Sequence, residues 1–443
     1  MWSHMRLWPR KRIWQVIAAF AVLAALLGSV AVVRIISTVR NPSAVLHEDT
    51  LINADLWDTE PRMMAAGLGF TQIIGVPGLS DDDLGASRTR VHLAGGAWND
   101  VTCADGSTPS LAVYTSAATP ESIALLYGAP VYYADGLPIE FSWPVLPSSL
   151  NADDIAVTLN DGTVVQPEVA AVWPNFEYNE RSTVVVFGYF GNRLAPEEPG
   201  AIYPVRVDVV EGATPLQLVG PGPALVSAVG MGVQSPGSPY TDPDVEPSDR
   251  GGPQLVAAKL SRYSSEGDTG PLLFQSGLLP NDGSALYGDR AQYRLRVFTS
   301  GGMTPDGVTG MKPTEFDRFF RIEAVTTAGE KVAITQTGVD YVIDGAVLRV
   351  EGLADLGLRQ DTYDDCYRED KDNQIDIILS GDESAMRAIT RVQMPSTGDY
   401  DPVYNPGGPG SEPWPGVRYA APSPPIDIEV MQAIDDPMTV SYP

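Results

Sequence analysis

The chain has 443 residues, enough for two or three domains each with its own core, and 44% of them are hydrophobic, which excludes a disordered acidic tail. Its 56 acidic residues against 29 basic ones give a net charge of −27, a balance that excludes nucleic acid as a partner and favours cations and basic surfaces. With 43 glycines, 38 prolines and little helical periodicity, the chain reads as all-β with many turns.

Residues 1–12 form a basic cytoplasmic segment carrying Arg6, Arg10, Lys11 and Arg12, and the run 13–33, IWQVIAAFAVLAALLGSVAVV, holds no charge. At about 1.5 Å per residue a helix over that run matches a hydrocarbon core of roughly 30 Å. It reads as a transmembrane signal-anchor that meets lipid through Trp14, Phe20, Leu23 and Leu26. The denser positive charge lies ahead of it, so the amino end stays in the cytoplasm and the bulk is extracytoplasmic. The alternative is a signal peptide cleaved after about Ala31, with Ser29 and Ala31 as the small residues, which would leave the same bulk secreted. The run is longer than the roughly 7 to 15 apolar residues of a signal peptide, which favours the anchor.

Residues 34–75 show no sustained period and read as a stalk or lead-in. The first β-domain region follows at 76–212, with its core at 128–212. Ahead of that core, Asp81, Asp82 and Asp83 read as an exposed loop and His92 as a strand residue, while 118–127, ATPESIALLY, reads as a short helix with Thr119 as N-cap and Pro120 at its first position. Within the core, Ile155, Val157 and Leu159 alternate with Ala156 and Thr158 up to the turn Asn160-Asp161-Gly162, the pattern of a hairpin with one buried face. The unbroken run Val184, Val185, Val186 and Phe187 reads as a strand buried on both faces.

A Pro/Gly-rich connection spans 213–253, and a second β-sandwich domain spans 254–396, where Asp344-Gly345 closes a hairpin. Residues 397–443 are a Pro/Gly/aromatic segment that lies over a domain surface, with 426–432 as an edge strand. The architecture expected is therefore an N-terminal transmembrane helix followed by two, or three, β-sandwich, immunoglobulin-like domains. Laying 176–188 over 369–381 places Glu177 on Asp370, Asn179 on Asp372 and Thr183 on Asp376, and aligns the runs VVVF and IILS. Each copy is followed by another strand, IYPVRVDVV or AITRVQMP, and preceded by an aromatic-led one, IEFSW or FFRIEAV. This predicts two copies of one module.

The richest concentration of oxygen ligands is 361–376, DTYDDCYREDKDNQID. Calcium takes six to eight oxygens, so Asp370, Asp372, Asp376, Asp364 and Asp365 are candidate ligands, with Glu177 and Asn179 as a poorer copy beside Glu180. An EF-hand is excluded, because Ile375 stands where its glycine belongs and no closing glutamate follows. The bland alternative is a solvated acidic loop. Cys103 and Cys366 lie in a compartment where a disulfide persists; if paired they close a loop worth roughly 4 to 5 kcal/mol, and otherwise they are two separate buried thiols.

Catalytic signals are thin. The histidines are His4, His47 and His92, and there is no HExxH, GxSxG, Walker loop or GxGxxG opening a helix. The expected function is that of a membrane-anchored extracytoplasmic β-sandwich protein with a binding or envelope-structural role, stabilised by calcium and taking a protein or glycan partner. The competing class is a secreted or anchored hydrolase that uses two carboxylates on glycans.

Overall fold

The computed structural model describes residues 42–235, 237–271 and 283–443. The run 13–33 expected to be an anchor, with Trp14, Phe20, Leu23 and Leu26, lies outside these. Among the described residues no helix is long and apolar enough to cross a membrane. Strand accounts for 32% and helix for 13%, so the class is mostly β-sheet.

Two pairs of sheets hold the two large cores. In the first pair, one sheet runs Met63–Ala66, Ala134–Phe141, Thr183–Gly188, Val169–Ala171, and the other runs Gly232–Gln234, Pro204–Val209, Ile155–Leu159, Val164–Val165. Leu137, Ile139, Val184 and Val186 from one sheet share a cluster with Ile155, Val157, Val207 and Val209 from the other. The alternation read in 155–159 is what places those three side chains inward, with Ala156 and Thr158 between them half-buried.

The strand Thr183–Gly188 is buried at every position because both its faces are covered. Val184 and Val186 point to the main core, whereas Val185 and Phe187 meet Ile123 and Tyr127 of the helix Pro120–Tyr127. That helix starts where Thr119 accepts a hydrogen bond from the Ser122 N–H and ends at Gly128, whose φ of 85° forms a left-handed cap.

The second pair repeats the first. Leu255–Arg262, Tyr293–Thr299, Gln374–Gly381 and Ala346–Ala354 are neighbours in one sheet, and Ile426–Glu429, Ile389–Met394, Arg321–Val325 and Lys331–Ile334 in the other. Taken in chain order, these eight strands occupy the same places as the eight of the first pair. The aligned runs 183–188 and 374–381 are equivalent strands, and so are 204–209 and 389–394. The aromatic-led stretches are not: IEFSW belongs to the strand paired with 183–188, but FFRIEAV belongs to the opposite sheet.

Three sequence expectations change. Residues 51–74 are not a stalk: Met63–Ala66 and Gly69–Ile74 pair with Ala134–Phe141, and Leu51–Asp55 pairs with Thr439–Tyr442 at the other end of the chain. Their period was hidden because Asn53, Phe70 and Gln72 take positive φ and the registers shift, which breaks side-chain alternation. The stretch holding His92 is a helix, Leu84–Leu93, begun by Asp83 accepting from the Ala86 N–H, so Asp83 is a cap and not merely part of a loop. Within 213–253, Gln217–Gly220 and Ala224–Ser227 form a hairpin of their own, and Gly232–Gln234 belongs to the first pair of sheets.

Candidate functional site

The loops that lead into the equivalent strands 183–188 and 374–381 meet each other. Asn175 Nδ2 donates to Asn373 Oδ1 at 2.9 Å and to Asp372 Oδ2 at 3.3 Å, and Thr183 Oγ1 donates to Asn373 Oδ1 at 3.0 Å. Asn373 Nδ2 in turn reaches Glu140 Oε1 at 3.2 Å. A polar seam between the modules results, and it is closed to solvent.

Acids outnumber bases along it. Arg296 bridges Asp376 at 2.7 Å and Asp55 at 3.1 Å, contacts Asp355, and lies 2.9 Å from Glu180 Oε1 without the alignment of a hydrogen bond. Arg294 holds Asp268 at 3.0 Å and Asp376 at 3.1 Å, and Lys259 pairs with Asp55. Three carboxylates are left converging: Glu177, Glu180 and Asp372 each place an oxygen within 4.8 Å of the others. Glu177 and Glu180 are 0% exposed and Asp372 3%. Neither oxygen of Glu177 has a hydrogen-bond partner, nor does either of Glu180, nor Oδ2 of nearby Asp370.

Burial, first, pushes the Glu177 carboxyl up to about 7, against the pull of Arg181 and Arg296. Burial likewise pushes Glu180, Asp355, Asp370 and Asp372 well up, and their mutual repulsion adds to it. Arg181, on the same loop as Glu177, turns its Nη2 to the Phe176 carbonyl at 2.8 Å.

Of the sequence candidates, Asp372 and Glu177 stand at the centre of this cluster and Asp370 at its margin. Asp376 is taken up by the two arginines. Asn179 donates to Asp268 at 2.6 Å. Asp364 accepts from the N–H groups of Ala104 and Cys366, and Asp365, 64% exposed, pairs with Lys312; both lie in the loop around the disulfide and not in the seam. Cys103 and Cys366 are bonded, their Cα atoms 5.4 Å apart. Only Asp376 of the three aspartates 370, 372 and 376 lies in the strand, which begins at Gln374; Lys371, at φ 62°, turns the backbone between the other two. Asp355, just past a strand end, was missed. So were Arg294 and Arg296, whose alternation with Leu295 and Val297 in QYRLRVF marks a strand with a charged face that had to find buried acids.

A second feature is an open groove of about 590 Å³ lined by the helix Leu84–Leu93, by Arg193 and Leu194, by Tyr240 and by residues 414–418 of the C-terminal segment. His92 and Trp414 stack at 4.0 Å, Arg88 sits 5.9 Å from the Trp414 ring centre, and Arg193 and Arg418 also line the groove. Arg193 is fixed by Gln72 at 2.8 Å and the Gly95 carbonyl at 3.0 Å, while its Nη2 and the Nε of Arg88 have no hydrogen-bond partner. Burial and the neighbouring Arg88 push the His92 imidazole below its usual value. Trp414 is 48% exposed; Arg88 pairs with Asp100 at 3.0 Å and Arg418 with Glu198, whereas Arg193 enters no ion pair among the described residues.

No family model and no curated protein matches the chain. Among solved structures, one described as "Crystal structure of tetra-tandem repeat in extending region of large adhesion protein" aligns at 9% identity and a TM-score of 0.13. The alignment covers 67% of this chain and 45% of that one, so the chain spans less than half of that structure's length. So loose a superposition carries no argument about fold or function.

Proposed function

We propose that the protein is an N-terminally anchored, extracytoplasmic binding protein of two immunoglobulin-like sandwiches, and that its ligand is an acidic glycan of the surrounding envelope. Each pair of sheets, in chain order, has the arrangement of strands A, B, E and D against C′, C, F and G, which supports the immunoglobulin-like reading. The charge-free run at 13–33 and the Cys103–Cys366 disulfide both support an exported bulk.

The groove carries the binding reading. On a chain with about two acids for every base, a concavity lined by Arg88, Arg193 and Arg418 is matched to an anion: Asp100 pairs with Arg88 and Glu198 with Arg418, and Arg193, in no ion pair among the described residues, is the guanidinium left to meet it. Guanidinium forks suit carboxylates, and the exposed Trp414 face offers an amphipathic plate against which a sugar ring can lie. A carboxylate hydrolase needs two acids about 5 to 9 Å apart across an accessible cleft; the acids that converge are fully buried, which supports binding over hydrolysis.

The test is a titration of Trp fluorescence with an oligouronate and with its carboxyl-reduced, neutral counterpart at constant salt. Binding of the acidic oligosaccharide only, lost in Trp414→Ala and weakened in Arg88→Gln, is the expected result. No response to either sugar, or equal response to both, contradicts the reading.

A further inference from the structure

We propose that Glu177, Glu180 and Asp372 hold one calcium ion in the seam, and that this ion clamps the two modules together. The inference stands on the seam alone and is independent of the groove and its ligand.

A buried carboxylate without a hydrogen-bond donor is costly, and Glu177 and Glu180 are two such; Asp372 accepts from Asn175 and from the Gln374 N–H, and with its oxygens within 4.8 Å of theirs the three repel as well. The local cations relieve them only in part: Arg296 reaches Glu180 at 2.9 Å but is shared with Asp55, Asp355 and Asp376, Arg294 is engaged by Asp268 and Asp376, and Arg181 attracts Glu177 and Glu180 through space while donating its Nη2 to the Phe176 carbonyl. A fully buried Glu177 with both oxygens unpartnered, converging with two other carboxylates, has the donor arrangement of a cation site.

The chemistry selects calcium. Every ligand is oxygen, and neither histidine nor a free thiol is present among the described residues of the seam, which disfavours zinc. Two ligands bound at about 2.4 Å are at most about 4.8 Å apart, the limit these oxygens meet. Magnesium demands a near-ideal octahedron and keeps several waters, which a closed seam does not accommodate; calcium accepts irregular shells of six to eight oxygens. Asn179 Oδ1, on the loop of Glu177 and Glu180, and Gln374 Oε1, at the start of the strand that follows Asp372, are buried neutral oxygens without donors. Because Glu177 and Glu180 come from the first module and Asp372 from the second, a shared ion bonds one to the other.

The test uses the full chain in detergent, stripped with EGTA. Terbium is the first probe, since Trp173 stacks on Phe176 next to Glu177 and can sensitise an ion bound there. The expected result is terbium luminescence excited through tryptophan and displaced by calcium, with about one calcium per chain by calorimetry. The Glu177→Gln/Asp372→Asn double variant should lose more than the roughly 10- to 100-fold in affinity that outer-shell changes cost. Asp364→Asn/Asp365→Asn should bind as the unaltered chain does. Without calcium the double variant should melt no lower than the unaltered protein, because it removes unneutralised charge. Absence of tryptophan-sensitised terbium and of calcium binding in the unaltered chain overturns the proposal, whatever the variants do. So does undiminished calcium binding by the double variant, or a melting temperature for it below that of the calcium-free unaltered chain, which would make Glu177 simply a partner of Arg181.

Discussion

Arg296 concentrates more of the seam's electrostatics than any other side chain, with four carboxylates around a guanidinium only 2% exposed. Replacing it by methionine keeps the volume but leaves Asp55, Asp355 and Asp376 short of their common partner. The expected cost is about 3 to 5 kcal/mol, the range for breaking a buried pair, read by urea denaturation. Asp135 offers a separate test, well away from the seam. It is 3% exposed, accepts from the Gln72 and Phe190 N–H groups at 2.9 Å, and faces Arg193 and Tyr240, yet burial pushes it up to about 6. Between pH 4 and 6 the unfolded chain has given up this proton while the folded one keeps it, so the Asp135 contribution to stability falls as pH rises through that window. The fall amounts to about 3 kcal/mol at most. The difference between the unaltered protein and Asp135→Asn, measured from pH 4 to 7, should shrink by that order; a flat difference would mean the carboxyl is ionised throughout. Single residues were the least legible from sequence: Glu177 and Asp372 were marked by acidity alone, whereas their meeting depends on two loops 195 residues apart reaching one place.

Elements were legible wherever a local rule decided them. Thr119 and Pro120 marked the start of the helix Pro120–Tyr127, and Asp344-Gly345, with φ of 50° and 84°, forms the expected turn between Asp340–Ile343 and Ala346–Ala354. Thr119→Ala should therefore lower stability by about 1 kcal/mol, and Gly345→Val should cost at least as much because a branched side chain resists positive φ; thermal melts measure both. Elements decided by tertiary contacts stayed hidden. Leu84–Leu93 has only Ser87 and Val91 buried and so shows no apolar stripe, and the strands in 51–74 depend on a partner that arrives more than 60 residues later or, for Leu51–Asp55, at the chain's end.

At the scale of the whole molecule, the same eight-strand arrangement occurs twice, and the chain is tied across its length by Cys103–Cys366 and by the pairing of Leu51–Asp55 with Thr439–Tyr442. Removing the bridge, as Cys103→Ser/Cys366→Ser, should lower stability by roughly 2 to 5 kcal/mol, since it closes a loop of 263 residues. The repeat was readable from the matching approach to two buried strands, but its consequence, that the two approaches face each other, was not. The most direct measurement is differential scanning calorimetry of the solubilised full chain in calcium and in EGTA. One cooperative transition in calcium that moves to lower temperature, or separates into two, in EGTA is the predicted outcome. Superimposable thermograms in the two solutions would contradict the idea that an ion in the seam joins the modules.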